Sequence, residues 1–517
     1  MRTSRTPFPW RGSDVFAALL ITALAFGVLW PLRHAGYHSD DWGWLALAKH
    51  LENPFPALWN NIYWGYFWRP IPLLADWIMA RVFDIATLPR YALGATQHTI
   101  NALLGAGIVA LATRQRLPAL IAGCLIATLP AASGLALWLS NRNELLALNF
   151  ALAALFCMES ALGSRLGVTN ARAALISATL LLALASKESA YIVALTLGLR
   201  TIFALPQLSR GEFARLTLAL GLPVGLALLA RVSTVSEFAA TLEGGNRLEV
   251  ARQGIGFWFA LLPRALGGFH EVLWRGFVVA LLLALPLLSL MKPSPNTETT
   301  PSKRSTFALL ATGALLLTLP ALVQSPITGH ILPLADAGNH LVNLRFFALA
   351  SIGAALLVAG AMALTIWRIP IALVLALVVV AGAHASFGQS QTWTRRSVWA
   401  NTHIAASAQE VVARLDALPV PPTCTLALYG PTISIEFWDS ILKSHLPRHS
   451  PWLGCTVFVD GRAPSYGVAN VDTCTPTHMA PAILTSQTLE FGGICQRTYT
   501  LPDDARNDTR LIRIDLP

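Results

Sequence analysis

Long apolar runs alternate along the chain with short polar clusters, a pattern that predicts helices crossing a membrane. The first run, Val15 to Leu32, follows Arg2, Arg5 and Arg11. It ends at Trp30-Pro31 without the small-residue cleavage pattern of a signal peptide, so it reads as a retained span that starts inside. Further runs at 91–112, 117–139, 145–162, 173–185, 190–204, 216–229, 271–290, 307–323, 346–367 and 369–386 bring the expectation to about eleven spans. Cytoplasmic loops should carry the excess of Arg and Lys. With spans alternating, the inside loops hold Arg114 and Arg116, then Arg165 and Arg172, then Arg200, Arg210 and Arg215, then Lys292, Lys303 and Arg304, then Arg368. An odd number of spans starting inside leaves the C-terminus outside.

The connections are uneven. The first outer loop, 34–90, is too long for a connector and is rich in Trp, Tyr and Pro. Within it, Trp42 to His50 reads as a helix that Ser39 or Asp40 would cap, and Ile71 to Phe83 as an amphipathic helix at the interface. A second outer loop, 233–270, holds an apolar stretch suited to the membrane surface, and 292–304 reads as a flexible inside linker. After about Gly388 the long apolar runs stop, and β-branched stretches such as Thr425 to Tyr429 and Thr456 to Val459 read as strands. The expected organisation is therefore a helical membrane domain, 1–387, followed by a soluble outer α/β domain, 388–517. Cys424, Cys455, Cys474 and Cys495 lie in the second; outside the cytoplasm they read as two disulfides with three connectivities open. No Cys-x-x-Cys spacing favours zinc. Cys124 and Cys157 fall inside spans and read as packing residues.

Composition narrows the class. Of 517 residues, 54% are hydrophobic and 12% charged, with a mean hydropathy of +0.55, which excludes ordinary cytosolic and disordered proteins. The net charge of +10 comes from basic residues clustered between apolar runs, so it reports membrane topology rather than a nucleic-acid surface. Sixteen tryptophans suit an interfacial aromatic belt. Nearly all the cations are arginine, so each lysine is worth locating.

Charged and polar groups near span ends are costly and call for a role. Asp40-Asp41 follows the first span; adjacent carboxylates can supply a general base or a cation ligand, or Asp40 can simply cap a helix. Arg69-Pro70 puts a guanidinium at the start of the interfacial helix, suited to a phosphate or to lipid headgroups. His98 and Asn101 share one helix face, where an interhelical hydrogen bond is the simpler account. Arg142 and Glu144 sit at the outer end of the third span, as a solvated turn or the edge of a cavity. Lys187-Glu188 interrupts two nearly continuous apolar runs, either contacting a phosphate or neutralising itself at a turn. Arg345 leads into a span from outside, against the positive-inside preference. Together these groups suit an anionic, lipid-linked substrate.

The order of these motifs resembles the membrane region of GT-C glycosyltransferases. The resemblance is carried by the Asp40-Asp41 pair, Arg69-Pro70, His98-x-x-Asn101, Trp138-x-x-x-Arg142-x-Glu144-Leu-Leu, Ser186-Lys187-Glu188 and Arg345-Phe-Phe-Ala-Leu-Ala-Ser-Ile-Gly, and covers about residues 15 to 365. The pattern is similar to the transmembrane O-mannosyltransferases and their bacterial relatives. It implies an all-α polytopic membrane protein with a catalytic acid pair in the first outer loop. It also implies inverting transfer of a sugar from a polyprenyl-phosphate-linked donor on the periplasmic face of a bacterial inner membrane, with the N-terminus cytoplasmic and the C-terminus periplasmic. On the same resemblance Asp40 would be the base, and Asp41 would position the acceptor or hold a divalent cation; no other cofactor is implied. Arg69, His98, Asn101, Arg142, Glu144, Lys187, Glu188 and Arg345 would line the donor-phosphate site. The tetratricopeptide repeats of the eukaryotic group are absent, which leaves a glycan, lipid or protein acceptor open. A lipid A-modifying aminosugar transferase of the same fold is the nearest alternative, and a lipid or sugar transporter a more distant one. A transporter would commonly show two similar halves, which this chain lacks.

Overall fold

The computed structural model describes residues 12–37, 41–59, 68–164, 166–234, 303–335, 344–365, 368–417, 425–429, 438–454, 456–460, 485–491, 494–500 and 511–515, with residues 252, 255 and 262. Helices dominate: α1 (Gly12–Leu29), α2 (Asp41–His50), α3 (Pro70–Phe83), α4 (Leu88–Thr113), α5 (Arg116–Thr128), α6 (Pro130–Ser133), α7 (Arg142–Gly163), α8 (Asn170–Leu184), α9 (Ala190–Ala204), α10 (Arg210–Thr234), α11 (Lys303–Ala335), α12 (Ala348–Leu364), α13 (Arg368–Asp416) and α14 (Trp438–His445). Among the described residues five helices are long and apolar enough to cross a membrane, six if the bent pair α5–α6 counts as one span, and three shorter apolar helices accompany them. This is an integral membrane protein. The expected run 271–290 lies outside the described residues, so a count of eleven rests on the sequence alone.

Two compact units form. The first comprises Met1–Arg33, Phe55–Pro72 and Arg90–Trp393; the second comprises His34–Pro54, Leu73–Pro89 and Thr394–Pro517. In the first, apolar helices bury one face and leave large side chains such as Phe16, Leu19, Leu218 and Leu229 on the outside, as suits lipid. Helices α11 and α12 approach each other closely. A Cβ added at Gly353 would meet the backbone of Leu316, Leu317 and Gly313, and one at Gly313 would meet Gly353 O and Leu357 N. Small residues there allow the two backbones to touch.

The run 117–139 departs from the expected single helix. Pro130 has no N–H to continue the ladder, and the chain bends by 56° between α5 and the turn after it. Carbonyls released by the bend find side-chain donors: Ser386 Oγ reaches Thr128 O at 2.7 Å, and the His98 ring reaches Ala127 O at 3.1 Å. Such substitutes are what hydrocarbon demands of a broken helix.

Basic loops share one end of this unit. Arg116 pairs with Asp14 at 2.6 Å, Arg114 reaches Gly163 O, and Gln115 and Arg368 both donate to Ala363 O. At that end Arg215 donates to Val168 O, and Arg200 forms a buried pair with Glu159 at 2.6 Å. Segments that the charge rule assigns to one side of the membrane are thus hydrogen-bonded to one another.

In the second unit, strands β1 (Thr425–Tyr429), β2 (Thr456–Asp460) and β5 (Leu511–Asp515) form a parallel sheet in the order β2-β1-β5, with Thr425 opposite both Thr456 and Leu511. Helix α14 lies between β1 and β2 in the chain, the connection a parallel pair requires. Strands β3 (Thr485–Phe491) and β4 (Ile494–Thr500) form an antiparallel hairpin. Cys424, Cys455 and Cys474 lie outside the described residues; Cys495 is in β4, with its side chain outside them. Cys124 and Cys157 are free thiols within α5 and α7.

Candidate functional site

Four segments of the first unit supply a cluster of charges. Pro70, with its fixed φ, opens α3, and Arg69 immediately precedes that helix. Ile71 N donates to Ala185 O at 3.4 Å, which ties this start to the end of α8. The turn Ser186-Lys187-Glu188-Ser189 is closed by Ser186 N and Lys187 N on Ala183 O and by Tyr191 N on Glu188 O. That geometry sets Glu188 at the N-terminal end of α9, where the helix dipole favours a carboxylate.

Glu188 is shared by two arginines. Arg69 Nη2 lies 2.6 Å from Oε2 with its Nε at 3.4 Å from Oε1, and Arg231 Nη1, at the end of α10, lies 2.7 Å from Oε1. Arg231 Nη2 also donates to Leu184 O, one of the carbonyls left over at the end of α8. Its guanidinium carbon is 5.4 Å from the Tyr191 ring and 6.0 Å from the Trp68 ring. Partial burial works to raise the Glu188 pKa, but the charges of Arg69 and Arg231 and the Arg69 hydrogen bond outweigh it and hold the carboxyl well below the ordinary carboxylate range. Next along the chain, Lys187 Nζ reaches Glu144 Oε2 at 2.8 Å, in the first turn of α7. Adjacent Lys187 and Glu188 therefore each take a partner from a distant segment. Among the described residues these contacts gather Arg69, Arg231 and Lys187 around Glu188 and Glu144, beside the Tyr191 and Trp68 rings. An anionic headgroup with an apolar tail suits such a place.

The remaining expected residues lie as follows. Arg142, the first residue of α7, is buried. His98 and Asn101 are both buried; His98 Nε2 donates to Ala127 O at the α5 bend, and Asn101 Oδ1 accepts from Asn149 Nδ2 at 2.7 Å. These are interhelical contacts within the bundle. Arg345 lies in a 3-10 turn, Leu344–Phe347, that packs against α6, and its side chain is outside the described residues. Asp41 belongs to the second unit, where it opens α2 and is 3% exposed; Asp40 is outside the described residues. Among the described residues no three or more His, Cys, Asp or Glu come together in a group that could hold a metal ion.

Sequence reasoning missed Arg231 and Asn149. Arg231 carried a usable signal, because an arginine at the outward end of the span 216–229 breaks the positive-inside preference as Arg345 does. Asn149 is an amide inside an apolar run, and such a residue needs a partner across the bundle.

No protein-family model and no curated protein sequence matches the chain. Solved structures similar to it include the following two. The oligosaccharyltransferase of Archaeoglobus fulgidus, tethered to an acceptor peptide containing the NVT sequon, has a TM-score of 0.44 and 14% identity over 86% of this chain. The chain spans 64% of that protein's length. ArnT from Cupriavidus metallidurans, bound to undecaprenyl phosphate, has a TM-score of 0.39 and 18% identity over 87% of this chain and 86% of its own.

Proposed function

We propose that the chain is a GT-C-type glycosyltransferase that moves a sugar, hexose or aminosugar, from a polyprenyl-phosphate carrier to a glycan, lipid or protein acceptor at the outer face of a bacterial inner membrane. The observation that carries this reading is the Arg69–Glu188–Arg231 cluster with its Lys187–Glu144 neighbour, in which every residue but Arg231 comes from the motif series that resembles this fold class. The carrier's phosphate becomes a dianion as the glycosidic bond breaks, and guanidinium and ammonium groups fixed beforehand stabilise that charge. Glu188 holds both guanidiniums in place, so little reorganisation is needed when the phosphate arrives. Asp40 takes the acceptor hydroxyl's proton and Asp41 orients the acceptor. One displacement with no covalent enzyme intermediate inverts the anomeric centre. A divalent cation at Asp41 would add charge neutralisation, but the roles assigned here use the chain's own groups.

The test compares envelope glycolipids, polysaccharides and glycoproteins by mass spectrometry in wild type, a deletion strain, and the deletion carrying Asp40→Asn at matched protein level. Loss of the same sugar-sized mass in both mutants is expected, because removing a general base costs about 10²–10⁴-fold in rate. An Asp40→Asn strain that matches wild type while the deletion does not would overturn the assignment of the base.

A further inference from the structure

Within the second unit, helix α2, which begins at Asp41, is held at both ends. Leu51, just past its last turn, accepts from Trp77 Nε1 and from Arg81 Nη2 of α3, each at 2.8 Å. A second set of bonds comes from nearly 400 residues further along the chain. Helix α14 leaves the carbonyls of its last turn without intrahelical donors. Lys49 Nζ donates to Ser444 O at 2.8 Å, and His50 Nε2 donates to Lys443 O at 2.6 Å. A carbonyl only accepts, so His50 carries its proton on Nε2. Two basic side chains thus cap the negative end of a helix dipole. At the Asp41 end, the Trp42 ring lies 5.4 Å from the His445 ring and 4.7 Å from Tyr37, whose hydroxyl donates to Ile85 O. Lys49 also pairs with Asp84 at 3.2 Å, in the left-handed turn after α3, and Arg448 donates to Ala80 O within α3.

We infer that residues 438–454 are a positioning element for the acid-bearing helix α2, with Lys49 the positioning residue that locks it. The contact is made where burial gives it weight: Lys49 is 6% exposed although it is a lysine, and lysines are seldom fully buried without partners. Exposed Asp84 adds little, since a solvated partner is screened. The carbonyl of Ser444 is the partner that matters. A polar soluble segment that serves only to recognise acceptors has no need to cap its helix with the loop that carries the acid pair. Fixing α2 on a second side limits the travel of the Asp41 backbone, and displacements of about 1 Å at a reacting group can cost about 100-fold in rate.

This inference rests on the proposed function for its catalytic consequence but not for its structural one, so the experiment reads both. The full-length protein carries Lys49→Met, Lys49→Arg or His445→Ala. Hydrogen exchange is followed at residues 41–50, and transfer is assayed with a synthetic polyprenyl-phosphate sugar at varied concentration. Lys49→Met is expected to speed exchange at 41–50 about tenfold, as loss of one buried charge-assisted bond implies, while exchange in α7 and α12 is unchanged. With it, kcat falls about 10- to 100-fold while KM for the lipid donor stays within about twofold. Lys49→Arg, which keeps a donor, restores most of both. His445→Ala shows a smaller change of the same kind. Unchanged exchange at 41–50 in Lys49→Met overturns the inference, and so does faster exchange with unchanged kcat. A wild-type protein that transfers no sugar, yet whose α2 loosens in Lys49→Met, rejects the function and leaves the clamp standing.

Discussion

Replacing Glu188 by glutamine keeps the side chain's shape, removes its charge and leaves Arg69 and Arg231 facing each other across a neutral amide. With N···O separations of 2.6 and 2.7 Å, the charge centres lie roughly 4 Å apart. Each attraction is then about 4 kcal/mol at an effective dielectric near 20. Much of that is spent on dehydrating the groups, and the Glu188 side chain is 29% exposed. The net loss should therefore fall slightly below that for a fully buried pair, at about 2–4 kcal/mol. The assay is equilibrium unfolding in mixed detergent micelles, run as a cycle with Arg231→Gln and the double variant. Because the two side chains share one interaction, the double variant should be less destabilised than the sum of the singles by about 1–3 kcal/mol. The pH dependence follows with its own sign. A carboxyl with folded pKa below its ordinary 4.5 contributes stability that is complete above pH 4.5 and is lost as pH falls toward the folded value. Wild type should lose stability below pH 4.5 more steeply than Glu188→Gln. Strictly additive variants, or identical acid limbs, would refute the shared-carboxylate reading.

Two further outcomes test the packing and the second unit. Gly353→Ala should destabilise by about 1–3 kcal/mol, since its new methyl meets the backbone of α11, whereas Gly198→Ala, with nothing within 4 Å, should be neutral or slightly stabilising in the same unfolding assay. His50 and His445 are held below the ordinary histidine value of 6.5, mainly by burial. The unfolded chain therefore binds more protons as pH drops through 6.5, and the second unit should lose stability below that pH and hold it above. Protection factors at residues 41–50, taken relative to the intrinsic exchange rate at each pH from 7.5 to 5.5, should fall on the acid side in wild type and fall less in a His50→Gln variant.

Much of the helical layout was legible because an apolar run long enough for a bilayer leaves little choice of structure. Run 145–162 became α7, and the interfacial helix expected at 71–83 became α3 with Pro70 at its start. Strands expected at Thr425 to Tyr429 and Thr456 to Val459 formed there, since a short apolar run led by a β-branched residue is a local signal. Helix ends were less legible. The last run was expected to stop at 386, but α13 continues to Asp416, because polar residues without proline keep the backbone ladder intact outside lipid. The bend at Pro130 was hidden in an apolar run, where a hydrophobicity count is blind to a missing N–H. For the charges, sequence pointed to Arg69, Glu144, Lys187 and Glu188 as groups too costly to be idle. Their pairing was not legible, because Glu188 meets partners 119 residues upstream and 43 residues downstream.

The bend after Thr128 also imposes a timetable on biosynthesis. Its carbonyl is satisfied by Ser386, 258 residues later in the chain. At about 5–20 residues per second, that donor emerges roughly 10–50 s after the bend has been made. For that interval the nascent hairpin must keep Thr128 near water or in the company of the insertion machinery. Slowing translation between the two residues should lengthen the period during which this segment is open to membrane quality-control proteases.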